Sequence, residues 1–331
     1  MSNKTIKRII KEKIAYHKNP LDSEGIFLCF DDNDLFKASA LIIGPEDTPY
    51  ENGFYLFKFT FPQDYPHRPP RCKFYTTQGR SRMNPNLYES GKVCLSLLGT
   101  WAGPSWTSCH TLTSICMSIR ALVLTSTPLQ NEPSFEKVTG ERSIRYNRIL
   151  THENLRIAVL FMMGKTPVGL EHFIPQMEKH FKNSFKSYIK CIGSNISLDG
   201  TTEKTPIWRM SVEYDYKRLY ERFVKKATKM GFWDDVANEL EAVVCNKTPE
   251  EAKTPVKAKA PAKAKTPVKV KAKAPAKAKT KTKTPVIITA KMVDGEHTIT
   301  TKLAKAKKKS AFLDTMTAIK KKYAPLESKI M

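Results

Sequence analysis

The stretch "NPNLYESGKVCLSLLGTW", residues 84–101, sets a cysteine between a Gly-Lys-Val approach and an apolar Leu-Ser-Leu-Leu exit. Neither the 3.6-residue period of an amphipathic helix nor the alternation of a half-buried strand runs through it, so Cys94 stands in irregular backbone. A cysteine inside a helix or strand pattern, as Cys29, Cys116 and Cys191 are, reads as a small buried hydrophobe. One carried on a Gly-containing loop reads as a candidate nucleophile.

Outward from that loop the chain is punctuated by clear signals. Upstream, "IFLCF", "LFKASALII", "GFYLFKFTF" and "RCKFYTT" are short and rich in aromatic and β-branched residues, separated by "DDND", "GPEDTPYENG" and "PQDYPHRPP". That pattern predicts a four-stranded antiparallel meander. Ahead of it, "TIKRIIKEKIAYH" predicts a helix with Ile6, Ile9, Ile10 and Ile14 on one face and Lys4, Lys7, Arg8 and Lys11 around the others.

Downstream, Leu112, Ile115, Ile119 and Leu122 or Val123 mark a central helix over roughly residues 109–124, stopped by Pro128 and Pro133. Helical periods return at about 141–163, 171–191 and 213–245, and 193–208 reads as a polar, turn-rich linker. The fold class is α+β: N-terminal helix, meander, central helix and a helical C-terminal extension. We expect three regions, a core over 1–165, the extension over 166–246 and a tail over 247–331.

The formal charge of +24 is unevenly placed. Residues 247–331 hold 23 Lys, no Arg and six acids, a net of +17, which leaves +7 for residues 1–246. Within the tail "TPVKAKAPAKAK" (254–265) returns as "TPVKVKAKAPAKAK" (266–279), with too few apolar residues to offset the entropy of ordering. The tail is expected to be mostly disordered, with DNA or RNA as the partner its charge suits, although lysine runs also serve as import signals or spacers.

Seven scattered cysteines, with no Cys-x-x-Cys pair and no paired histidines at zinc spacing, predict free thiols in a reducing compartment and no metal. No run is long enough to span a bilayer. The expectation is a protein without membrane partners, cytoplasmic or nuclear or both.

Taken in order, "GPEDTPYENGFYLFKFTFPQDYPHRPP" (44–70), "NPNLYESGKVCLSLL" (84–98) and "NEPSFE" (131–136) resemble the ubiquitin-conjugating (E2) family. Within it, "GKVCLSLLGTWAGPSW" and the helical continuation look most like the extended Z-type members and the E2 module of the giant inhibitor-of-apoptosis E2/E3 protein. The resemblance covers about residues 1–245. It implies an acyltransferase that takes ubiquitin or a ubiquitin-like protein from an E1 as a thioester on Cys94 and passes it to lysine or to an E3. No cofactor is implied, since ATP is used by the E1; a Z-like member implies the second, dual-specificity E1.

The resemblance also assigns roles. Asn86 matches the amide that stabilises the oxyanion or supports the active-site loop, and Glu132 matches an acid near the acceptor lysine. Lys7, Arg8 and Lys11 match the helix face that docks the E1 and E3s. Three positions depart from the family: Asn84 stands where His is common, Ser96 where an acid is common, and Thr107-Ser108-Cys109 replaces the Ser-Pro-Ala of the E3-contact loop. Two other readings compete. A Cys-His hydrolase would pair Cys94 with His110, His152, His172 or His180, and a catalytically silent E2-like scaffold would only present the polycationic tail.

Overall fold

The computed structural model describes residues 3–78, 81–208 and 210–237; the expected tail and Cys245 lie outside the described residues. The first helix, α1 (Asn3–Lys18), turns Thr5, Ile9, Glu12 and Tyr16 inward, one or two turns apart on a single stripe. This differs from the isoleucine face expected from sequence: Ile10 is 42% and Ile14 50% exposed. The cause is Glu12. Its buried carboxylate accepts from Arg8 Nε at 2.6 Å, the Tyr65 hydroxyl at 2.6 Å and the Leu112 backbone N–H at 2.9 Å. A carboxylate leaves water only where such donors wait for it, and these donors fix the rotation of α1.

Strands β1 (Ile26–Phe30), β2 (Lys37–Ile43), β3 (Phe54–Thr60) and β4 (Arg71–Phe74) form the expected antiparallel meander in sequence order. Ala40 pairs with Phe57 and Leu41 with Leu56. Ala38, Ala40, Ile42, Tyr55, Phe57 and Phe59 join Ile9, Ile115 and Ile119 in the main core. Leu41, Phe54 and Leu56 point to the other face, yet they too are fully buried. A sheet covered on both faces explains why "ALII" (40–43) runs apolar without a polar alternate and why Ser39 is buried.

The second cover comes from the C-terminal extension. Lys58 Nζ donates to the Val168 carbonyl at 2.7 Å, Ser39 Oγ lies 3.0 Å from His172 Nε2, and the His180 ring meets Phe54 edge-on at 6.0 Å.

The central helix α2 (Leu112–Ser118) starts in a capping box between Thr111 and Ser114 and continues as a wider π-helical turn, Ile119–Val123. Glu12 at its first N–H adds a charge of the sign a helix N-terminus favours. Helix α3 (Glu141–Glu153) runs on through a second π-helical stretch, Asn154–Phe161, and a last turn, Met162–Gly164. There the Asn154 amide bonds the Tyr55 hydroxyl at 2.7 Å and the Glu51 carbonyl at 2.9 Å. A Cβ on Gly53 would meet Asn154 Oδ1 at 1.9 Å, so the β2–β3 turn admits only glycine there.

Beyond α3, α4 (Ile174–Asn195) and α5 (Tyr216–Lys229) pack Phe181 and Tyr188 on Phe223, with ring centroids 5.6 and 5.1 Å apart. Burying a side chain of that size contributes about 1.5–3 kcal/mol. The expected linker is more ordered than its polarity suggests. It supplies one strand of a hairpin, β5 (Thr202–Lys204) against β6 (Ser211–Glu213), and the helix expected over 213–245 is interrupted at Gly231, φ 72°: α5 stops at Lys229, helical backbone resumes over 233–237, and 238–245 lie outside the described residues.

Candidate active site

The loop that carries Cys94 has almost no regular structure and is held by side chains instead. Asn84, fully buried, donates from Nδ2 to the Tyr50 hydroxyl at 2.7 Å and to the Val123 carbonyl at 2.8 Å, and its Oδ1 accepts from the Asn86 N–H at 2.8 Å. One amide thus joins the loop to the π-helical end of α2. The residue that departs from the common His-Pro-Asn pattern does the packing work of that position.

Asn86 and Cys94 are bonded twice: the Cys94 N–H donates to the Asn86 carbonyl at 2.9 Å, and Asn86 Nδ2 donates to the Cys94 carbonyl at 2.8 Å. Leu87 and Val93 pair next to them, and a tight turn closes with the Gly91 N–H on the Tyr88 carbonyl at 2.9 Å. Gly91 has φ 88°, and a Cβ there would lie 2.7 Å from the Phe74 carbonyl, so this approach to Cys94 requires glycine. On the far side Thr100 Oγ1 donates to the Val93 carbonyl at 2.7 Å and accepts from the Leu95 N–H at 3.0 Å. Both neighbours of Cys94 are tied to one hydroxyl. Nothing in the sequence singles out Thr100, because its partners become visible only once the loop is folded.

Cys94 is 2% exposed. Its bonding partner Asn86 and its chain neighbour Leu95 line a cleft of about 340 Å³ together with Trp101, Leu122, Asn131, Glu132 and Glu136. Asn131 Nδ2 holds the Leu122 carbonyl at 3.2 Å, and the Glu132 N–H donates to the Leu129 carbonyl at 3.2 Å. Glu132 therefore lines the same cleft as Asn86. Glu136, which the sequence did not single out, lines it too; its own N–H and that of Ser134 hold its carboxyl below the usual range.

Burial pushes Cys72 and Cys116 up, and Cys191 up to about 11, which withholds the thiolate at neutral pH. Among the described residues no group of three or more His, Cys, Asp or Glu is placed to hold a metal. None of the four histidines proposed for a hydrolase bonds Cys94: His110 accepts from the Thr107 N–H, His152 lies between Glu153 and Asp215, His172 faces Ser39, and His180 faces Asn52.

On α1, Lys7 and Lys11 are exposed, whereas Arg8 is half-buried. Arg8 donates to Glu12 and, from a terminal nitrogen, to the His110 carbonyl at 2.6 Å. It ties α1 to the loop of Thr107, Ser108 and Cys109, so the structure joins the two segments that the resemblance marks for partner contact. No described helix is long and apolar enough to cross a membrane.

A helix, a four-strand meander with its thiol loop and a central helix define the E2 fold class. The pattern of the ubiquitin-conjugating enzyme family matches residues 8–149. Over 224 residues the chain is 39% identical to ubiquitin-conjugating enzyme E2 Z of Xenopus tropicalis, a match over 67% of this chain and 70% of that protein. With E2 Z of Homo sapiens it shares 42% over 219 residues, 65% of this chain and 60% of the relative. The dual E2 ubiquitin-conjugating enzyme/E3 ubiquitin-protein ligase BIRC6 of Homo sapiens is 41% identical over 144 residues, 41% of this chain and 3% of that one. The chain belongs to the ubiquitin-conjugating enzyme family.

Proposed function

We propose that Cys94 accepts the C-terminal carbonyl of ubiquitin, or of a ubiquitin-like protein, from an E1 thioester and passes it to a lysine or to an E3. The observation that carries this reading is the doubly bonded Asn86–Cys94 pair, whose Asn86 lines one cleft with the acid Glu132. In loading, the Cys94 sulfur attacks the E1-bound acyl carbon and the E1 thiolate leaves. In transfer, a lysine nitrogen attacks the same carbon, the C–S bond breaks, Cys94 leaves as thiolate and the amine proton passes to a base. Glu132 is the base, or the charge that keeps the incoming amine oriented.

Asn86 braces the Cys94 carbonyl with one amide hydrogen and uses the other toward the developing oxyanion. Lys7 and Lys11 meet the E1 and E3s, where charge sets association rate and partner choice. ATP is consumed by the E1. Family membership argues against the silent scaffold, because the thiol loop is intact. The tail adds a second activity: its 23 lysines neutralise nucleic-acid phosphates without reading bases.

With E1, ATP and ubiquitin the chain gains one reductant-sensitive ubiquitin, and Cys94→Ala abolishes it. Undiminished thioester on Cys94→Ala overturns the assignment. A chain ending at Cys245 charges normally and loses its salt-sensitive affinity for DNA and RNA; retained affinity would remove the tail as the binding element.

A further inference from the structure

Arg82 stands just ahead of the Asn-Pro-Asn turn, and its guanidinium carbon lies 3.8 Å from the centre of the Tyr88 ring and 3.7 Å from that of Trp208. At those distances the planar cation is sandwiched face-on between two aromatic rings. The same guanidinium donates to the Pro85 carbonyl at 2.7 Å, between the two asparagines that hold the site. Tyr88 heads the tight turn that leads back to Cys94, its N–H on the Lys92 carbonyl at 3.0 Å. Arg82 and Tyr88 thus bracket the Asn84–Leu87 segment, and one stack holds both ends.

Trp208 does not belong to the core sequence at all. It sits in the β5–β6 connection of the C-terminal extension, 39% exposed, with φ 56°. A bulky residue in the left-handed region is strained, and such strain persists only where surrounding contacts hold it. Its ring also meets Tyr146 of α3 edge-on at 6.5 Å. The hairpin itself is anchored, since Arg148 of α3 forms an ion pair with Glu203 of β5. An exposed tryptophan forced into this backbone conformation is costly if all it does is cover a half-buried arginine.

We infer that Trp208 is a positioning residue for acyl transfer: from the extension it clamps the Arg82–Tyr88 segment, and so fixes Asn86 and Cys94 in the geometry that lysine attack requires. This rests on the reading of Cys94 as the acyl carrier. Loading and transfer make different demands on the clamp. In loading the E1 supplies half of the geometry, whereas in transfer to a small free amine the loop must supply it alone, and a misplacement of about an ångström can cost a hundredfold. The extension then acts in catalysis without touching a reacting atom.

The test compares full-length wild type with Trp208→Gly, which relieves the backbone strain while removing the ring, and with Trp208→Phe, which keeps a ring. Single-turnover discharge of the thioester to free lysine should fall about tenfold in Trp208→Gly, roughly 1.4 kcal/mol, at unchanged KM for lysine, with loading within about twofold of wild type. Trp208→Phe should restore most of the rate. Hydrogen exchange should show lost protection of the Cys94 N–H in the glycine variant while the strands stay protected. A wild type that forms no thioester would overturn the reading of Cys94 and the clamp with it. A wild type that charges, beside a Trp208→Gly variant that discharges at the parental rate, would overturn the clamp alone, as would equal losses in loading and discharge with general loss of protection.

Discussion

The carbonyl of Cys94 accepts the side-chain amide of Asn86 at 2.8 Å, and the Cys94 N–H returns a bond to the Asn86 carbonyl. The amide is therefore engaged in holding the loop before any substrate arrives, while its Oδ1 is buried without a partner. Replacing Asn86 by Ala strands a buried carbonyl, which costs about 1–3 kcal/mol. We expect a lower Tm and a discharge rate that falls further than loading. Measured by thermal unfolding and single-turnover assays, unchanged stability would show that the brace contributes nothing.

Asn84 carries a heavier structural role than Asn86. Its amide serves the Tyr50 hydroxyl, the Val123 carbonyl and the Asn86 N–H, all buried. Asn84→Ala should lower stability by several kcal/mol: the Asn86 N–H is left without an acceptor, which costs about 1–3 kcal/mol, and about 1 kcal/mol goes with each bond lost from the Tyr50 hydroxyl, which keeps the Met83 carbonyl, and from the Val123 carbonyl, which keeps Asn131 Nδ2. Asn84→Asp keeps the acceptor for the Asn86 N–H but aims a carboxylate oxygen at the Val123 carbonyl, and should be destabilised nearly as much. Denaturant unfolding decides it; parental stability in both variants would mean that the loop re-forms its bonds elsewhere.

The two acids of the cleft are separable. Glu132 is half-buried among Asn131, Pro133 and Leu122, while Glu136 is exposed and already holds the Ser134 N–H at 3.1 Å. Glu132→Ala should slow discharge to lysine by about tenfold or more, in line with a positioned proton acceptor, and leave loading alone. Glu136→Ala should stay within about twofold. If the two variants reverse, the base is Glu136.

How much of this was legible before folding depends on whether a residue's partners are near in sequence. The meander was readable because short aromatic and β-branched runs and turn signals are local, and the strands fall where "IFLCF" and "FYLFKFT" place them. Cys94 stood out because it lies outside any period. The face of α1 was misread because Glu12 finds its donors at Tyr65 and Leu112, far along the chain. The β5–β6 hairpin was missed for a related reason, since its strands are three residues each and are held by contacts with α3. Thr100 and Trp208 had no signal at all, because their meaning lies in a loop that exists only in the folded protein.

Two ionisable groups, His152 and Glu153, sit at the joint between α3 and the extension. His152, 1% exposed, has Nε2 2.8 Å from Asp215 at the start of α5 and Nδ1 3.2 Å from Glu153, with the Tyr214 and Tyr216 rings edge-on around it. Burial works to lower its pKa, but the bonds to Asp215 and Glu153 outweigh burial and leave it above its ordinary 6.5. For Glu153 burial works upward, yet the hydrogen bonds from Arg156, His152 and Ser81 prevail and take the carboxyl from 4.5 to about 2. A lowered acid stabilises the fold above its unfolded pKa and loses that contribution as pH falls; a raised histidine stabilises it below its unfolded pKa and loses it as pH rises through the folded one. Both contributions are complete only between about pH 4.5 and 6.5, so Tm should peak there and fall on either side. The acid limb is worth about 3 kcal/mol. Glu153→Gln should flatten that limb, and Asp215→Asn should flatten the alkaline one. A wild type whose Tm keeps rising from pH 6.5 to 8, or an Asp215→Asn variant that keeps the wild-type alkaline slope, would show that His152 does not couple α3 to the extension through its charge.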